Sequence, residues 1–225
     1  MMLAPLLYTS GLAALLLAAE AHSLWHWKVL PPPPREALRG RSFDVIAHRG
    51  FSARYPENTL PAFRAAAQAD CLELDVHLSA DGRVVVVHDA LLHRTTDGRG
   101  AVAAHAWEQL RQLDAGRWKG PEFAGTRLPL LEEVLDLLPP RQGLLVELKN
   151  DARNRPYAQL PRRVLDVAKA FPGARLVLQS FEPGYLEALG RWAPEVPTMR
   201  LLEWGGVLPW HLDASWRAGR LALAP

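Results

Sequence analysis

From Asp44 to Leu202, short unbroken apolar runs alternate with amphipathic segments, and this rhythm limits the fold more than any other feature. Runs such as Val45-Ile46-Ala47, Val84 to Val87 and Leu144 to Leu148 have no polar side to turn toward water. Strands of that kind are buried on both faces, as in a parallel sheet covered by helices. The pattern predicts strands over Asp44–Ala47, Cys71–Leu78, Val84–Val87, Leu144–Leu148, Arg175–Leu178 and Thr198–Leu202, with Leu221–Leu223 the start of another. Helices are expected over Thr59–Ala69, Leu130–Leu138, Leu160–Phe171 and Gly184–Trp192. Ala80-Asp81-Gly82 reads as a turn, and the glycine-rich stretch from Leu91 to Leu128 as irregular. The fold class is α/β, with the βα alternation of a TIM-type (β/α)8 barrel.

Polar residues recur where each predicted strand ends. The first ends in His48-Arg49, the second carries Glu73 and Asp75, and the third ends in His88-Asp89. The fourth carries Glu147 and Lys149, and the fifth ends in Gln179-Ser180. In a parallel barrel the C-terminal strand ends converge on one face, where active sites are built. His48-Arg49-Gly50 is followed by Pro56-Glu57-Asn58, which reads as the start of a helix with Asn58 as its N-cap.

Glu73 and Asp75 are two apart on a strand, so both point to one side while Leu72, Leu74 and Val76 point to the other. Two carboxylates held that close raise each other's pKa unless a positive charge compensates. Glu147 adds a third. Three oxygen ligands and no cysteine cluster favour one hard divalent cation, Mg²⁺ or Ca²⁺. The alternative is an interior ion-pair network with Lys149 or Arg49. A lone histidine after a strand is more often structural than catalytic, but His48 and His88 occupy equivalent places on two strands. Beside a carboxylate-bound metal, such a pair supplies a general acid and a general base for splitting a phosphoester. Arg49 and Lys149 would hold the remaining phosphoryl oxygens. His77 shares the parity of Glu73 and Asp75 and is a weaker candidate for the same interior.

The 225 residues are 49% hydrophobic and 22% charged, which suits one globular domain. A formal net charge of +2 gives no case for nucleic-acid binding by bulk charge, and a single cysteine excludes an internal disulfide framework. Met1 to Ala19 is almost wholly apolar, without charge before Glu20, and is long enough to span a bilayer. Trp25, Trp27 and Lys28 follow as an interfacial flank. A membrane anchor through about residues 2–19 is favoured over a cleaved signal peptide, because the N-terminal side lacks Lys or Arg. Lys28, Arg35, Arg39 and Arg41 then place the domain in the cytoplasm, export after cleavage being the alternative. The expected organisation is an anchor or signal segment over 1–30, a Pro-rich linker over 31–40 and a catalytic domain over 41–225.

The ordered set of motifs resembles the glycerophosphodiester phosphodiesterase family. It comprises His48-Arg49-Gly50, Pro56-Glu57-Asn58-Thr59, Glu73-Leu74-Asp75-Val76, Val87-His88-Asp89 and Arg94-Thr95-Thr96-Asp97-Gly98-Arg99-Gly100. Leu113-Asp114-Ala115-Gly116, Pro129 to Val134, Val146-Glu147-Leu148-Lys149 and Gln179-Ser180-Phe181 complete it. The resemblance implies a TIM-barrel enzyme that hydrolyses glycerophosphodiesters to an alcohol and glycerol 3-phosphate, with a lysophospholipase D activity on lysophospholipids as a close variant. It implies that His48 and His88 are the acid/base pair, that Glu73, Asp75 and Glu147 hold the metal, and that Arg49 and Lys149 contact phosphate. Glu57 matches a supporting acidic residue, and Leu91–Leu128 matches an insertion that covers the mouth. The likeness is to a membrane-anchored bacterial member with a shortened C-terminus. The stretch after the linker is shorter than the about 250 residues typical of a TIM barrel, so a barrel of six or seven strands is expected.

Overall fold

The computed structural model describes residues 45–202 and 221–223. The expected anchor over 1–30, the linker over 31–40 and most of the stretch bearing on a shortened C-terminus lie outside the described residues. Among those described, no helix is long and apolar enough to cross a membrane.

Six strands are parallel. They are β1 (Ile46–His48), β2 (Cys71–Leu78), β4 (Gly143–Leu148), β5 (Arg175–Ser180), β6 (Thr198–Leu202) and β7 (Leu221–Leu223). They lie side by side in the order β1-β2-β4-β5-β6-β7. Helices α1 (Leu60–Ala65), α3 (Leu131–Leu137), α4 (Leu160–Ala168) and α5 (Pro183–Trp192) alternate with them, and α2 (Trp107–Leu110) is a single turn in the long connection after β3 (Val84–Val86). Helix α1 stops four residues short of the expected Ala69, as Ala66 to Gln68 continue only as turns.

The parity argument holds in the core. Leu72, Leu74 and Val76 of β2 pack with Leu144, Val146 and Leu148 of β4 against Phe63, Leu131, Val134, Leu160 and Val164 from the helices. Opposite faces of the same strands carry Glu73, Asp75, His77 and Glu147, all buried. Registration aligns them. Glu73 lies beside His48 of β1, Asp75 beside Glu147 of β4, and Glu147 beside Gln179 of β5.

The expectation that the third strand joins the parallel set is corrected. β3 (Val84–Val86) runs antiparallel to β2, pairing Val76 with Val86 and Leu78 with Val84. β2 is long enough to extend past the mouth, and the chain folds straight back on it. The turn is tied down locally. Gly82 N–H donates to Ser79 O at 3.0 Å, the Ser79 hydroxyl donates to Asp81 Oδ1 at 2.6 Å, and Trp107 N–H donates to the same oxygen at 3.0 Å. Gly82 has φ +76°, the left-handed conformation such a turn needs. β3 separates two cores. Val84 and Val86 face the main one, while Val85 and Val87 join Leu92, Val102, Leu110, Leu128 and Leu130 in a second, which gives Leu91–Leu128 its own apolar centre.

Candidate active site

β1 delivers His48 at its end, and the chain then turns sharply through Arg49 (φ +57°) and Gly50 (φ +75°). A Cβ at Gly50 would sit 2.7 Å from the backbone carbonyl carbon of Ala62, so only glycine lets the loop close on α1. The turn aims Arg49 N–H at Glu73 Oε2, 3.0 Å away. Its guanidinium donates to Glu57 Oε1 at 3.0 Å and approaches Asp75 Oδ2 at 3.4 Å.

Asn58 is not the N-cap. It sits in the left-handed region at φ +56°, and Thr59 takes the cap position without a side-chain capping bond. The Asn58 amide serves the site instead. Its Nδ2 donates to Asp75 Oδ2 at 2.8 Å and its Oδ1 accepts Asp75 N–H at 3.3 Å.

Glu73, Asp75 and Glu147 come together, with candidate ligand oxygens all within 4.8 Å of one another. Burial, with the neighbouring Asp75 charge, pushes Glu73 up to about 8. Burial also raises Glu147, to about 7, although Lys149 opposes it. Burial alone would raise Asp75 too, but Lys149, His88, Asn58 and Arg49 outweigh it and hold the carboxyl below its usual range. Lys149 Nζ lies 3.1 Å from Asp75 Oδ1 and 2.6 Å from Glu147 Oε1. The candidate metal ligands and the ion-pair network therefore coincide: the cations expected by the second reading stand among the carboxylates required by the first.

The balance of charge favours a further cation. Three carboxylates face Arg49 and Lys149, and the Asp75 and Glu147 charges add to the burial that raises Glu73. Asp75 Oδ1 and Glu147 Oε1 are both buried, and Lys149 Nζ stands beside each of them. Three clustered, buried carboxylates fit Mg²⁺ or Ca²⁺. Gln179 adds an amide 3.3 Å from Glu73 Oε1, which fixes that carboxylate from the far side.

His48 remains accessible, its side chain 58% exposed, with Nε2 3.9 Å from Glu73 Oε2. Partial burial, helped by Arg49, lowers its pKa. His88 arrives by the returning hairpin rather than on a parallel strand. Its Nδ1 lies 2.6 Å from Asp89 Oδ1. An ionised carboxylate only accepts, so Nδ1 carries the proton and Nε2 is left for chemistry. His77 is fully buried beneath. Its Nε2 is 3.0 Å from the His88 carbonyl and its Nδ1 3.2 Å from the Tyr157 hydroxyl. The carbonyl needs a donor, so Nε2 carries hydrogen and Tyr157 donates to Nδ1. Burial lowers His77 to about 4, so it is a neutral prop for His88. Parity put His77 inside but could not tell prop from participant. Asp89 and Arg94 stood within recognised motifs, but no pattern in the chain identified their partners.

Residues 48–213 match the glycerophosphoryl diester phosphodiesterase family. A glycerophosphodiester phosphodiesterase of Caldanaerobacter subterraneus is 38% identical over 172 residues, covering 75% of this chain and 70% of that one. One from Bacillus altitudinis is 38% identical over 157 residues, covering 68% of this chain and 63% of its own. Among solved structures, an Oleispira antarctica phosphodiesterase in complex with the product sn-glycerol-3-phosphate superposes with a TM-score of 0.68. It is 30% identical over 80% of this chain and 74% of its own. Carboxylates and histidines gathered at the strand ends of a parallel α/β sheet, with these likenesses, place the chain among TIM-barrel-type phosphodiester hydrolases. The chain belongs to the glycerophosphoryl diester phosphodiesterase family.

Proposed function

We propose that the protein hydrolyses glycerophosphodiesters, lysophospholipid-derived ones included, to an alcohol and glycerol 3-phosphate with the help of one divalent cation. The observation that carries this reading is the convergence of Glu73, Asp75 and Glu147 within 4.8 Å, flanked by His48 and His88. The relatives named for this activity, and the Oleispira antarctica enzyme that binds sn-glycerol-3-phosphate, support it.

Glu73, Asp75 and Glu147 would hold Mg²⁺ or Ca²⁺, which when bound polarises a phosphoryl oxygen. Arg49 and Lys149 supply the remaining positive charge for the phosphate, and Glu57 keeps the Arg49 fork oriented. Water adds at phosphorus as the bond to the leaving alkoxide breaks. One histidine takes the proton of the nucleophile and the other returns one to the leaving oxygen. With Nδ1 facing Asp89, His88 does its share through Nε2.

The test is glycerophosphocholine turnover by the purified chain in Mg²⁺, in Ca²⁺ and in EDTA, with glycerol 3-phosphate as the measured product. Metal-dependent product formation is expected. A folded sample that releases none under any metal condition refutes the assignment. For the segment over about residues 2–19 we propose a membrane anchor with the catalytic domain on the cytoplasmic side. Mass spectrometry of the mature N-terminus distinguishes this from a cleaved signal.

A further inference from the structure

Arg94 stands at the end of the 3-10 turn Leu92–Arg94, beyond every group assigned a role in turnover. Its root is fixed. Leu92 is fully buried, Leu92 N–H donates to Gly100 O at 3.0 Å, and the Thr96 hydroxyl donates to Leu92 O at 2.7 Å. Its guanidinium grips two carboxylates at once. Nε and Nη2 donate to Asp89 Oδ2 and Oδ1 at 2.5 and 3.1 Å, and Nη1 and Nη2 to Glu57 Oε2 and Oε1 at 3.0 and 2.7 Å. Four of its five N–H groups are thereby used, so little is left for a substrate.

Each of those carboxylates holds one member of the site. Asp89 Oδ1 also takes His88 Nδ1, and Glu57 Oε1 also takes the Arg49 guanidinium. We propose that Arg94 is a positioning residue. It locks the His88 imidazole and the Arg49 fork into one frame through Asp89 and Glu57. The inference rests on the roles proposed for His88 and Arg49 and names what aligns them. A planar fork can grip both oxygens of two carboxylates at once, whereas an ammonium reaches each as a point charge. The Arg94 side chain is 40% exposed, but its bidentate grip on two carboxylates is the geometry in which a surface ion pair does stabilise. A purely structural role therefore predicts lower melting with the His88 tautomer unchanged.

The test compares wild type with Arg94→Met and Arg94→Lys by ¹⁵N NMR of the His88 ring, thermal melting and steady-state kinetics. Wild-type His88 is expected as a single Nδ1–H tautomer. Both variants are expected to average the two tautomers whatever their melting temperature, and Arg94→Lys serves alone if Arg94→Met does not fold. With an active wild type, kcat falls about ten- to a hundredfold in each variant. In a third variant, Arg94→Ala, which leaves room for a small cation, added guanidinium restores part of the activity. An unchanged His88 tautomer in the variants, or full recovery by Arg94→Lys, overturns the proposal. A wild type without phosphodiesterase activity would refute the functional reading, while the NMR comparison would still decide the role of Arg94.

Discussion

Asn58 and Asp75 hold each other by two reciprocal hydrogen bonds, side chain to side chain at 2.8 Å and backbone to side chain at 3.3 Å. The pair joins the loop after β1 to the middle of β2. Asn58→Gly keeps the left-handed backbone and removes the clamp, leaving a buried Asp75 oxygen short of a donor. Loss of about 1–3 kcal/mol is expected, read as a lower denaturation midpoint. Asn58→Asp replaces the donor with a further negative charge and should be worse than Asn58→Gly. Equal stability of the two variants would contradict this picture.

The carboxylate cluster predicts a measurable cation site. Calorimetric titration with Mg²⁺ or Ca²⁺ should give one site per chain. Excess cation should raise the melting temperature, since a ligand bound only by the native state stabilises it. Glu147→Gln removes one of three charges and should weaken binding strongly. Heat and melting shifts unchanged in Glu147→Gln would exclude Glu147 as a ligand.

Removal of either histidine should cost turnover rather than folding. His48→Ala and His88→Ala are each expected to lower kcat by about 10²–10⁴. His48 is half-exposed, so its variant should melt as wild type does. Near-normal turnover in either variant would overturn the acid/base pairing.

Gly50 fixes the turn that aims Arg49. Gly50→Ala forces a left-handed backbone on alanine and drives its Cβ into Ala62. The backbone term alone is about 1–3 kcal/mol. Chemical denaturation should show at least that loss, and a variant as stable as wild type would mean the loop re-closes in another way.

Asp114 gives the loop after α2 a dependence on acid. It accepts the N–H groups of Gly116, Arg117 and Gly125 at 2.8–2.9 Å. Burial opposes ionisation, but these donors prevail and lower Asp114 to about 2. The folded pKa lies below the unfolded value, so the bonds stabilise fully above about pH 4. That contribution drains away as pH falls toward 2. Protection of the Gly116 and Gly125 amides, measured against their intrinsic exchange rates, should fall in that window, and Asp114→Asn should show the lower protection already at neutral pH.

Much of the site could be read from side-chain parity. Glu73, Asp75 and Glu147 faced inward because their neighbours needed the helices, and β2 matches its expected span residue for residue. Less could be read where one signal serves two structures. Asn58 before an apolar segment carries the marks of a helix cap, and only the tertiary contact with Asp75 reveals its use. Val84–Val87 satisfies a parallel strand as well as a returning hairpin, and the βα rhythm outweighed the turn at Ala80-Asp81-Gly82. The bonds from Arg94 to Glu57 and Asp89 join residues 37 and 5 positions apart by charge alone, which leaves no periodic trace.

The hairpin between Asp75 and His88 has a consequence for what the chain can tolerate. Four successive valines offer no hydrophobic preference for one register over another, since each fits either core. Registration of β3 therefore falls to the bonds of Ser79, Asp81 and Gly82. A one-residue insertion or deletion there would slide the strand by one position and exchange the directions of His88 and Asp89. The spacing between the carboxylates and this histidine is thus counted out around a single turn. Changes of length are forbidden at that turn, even though it lies away from the chemistry and touches no substrate group.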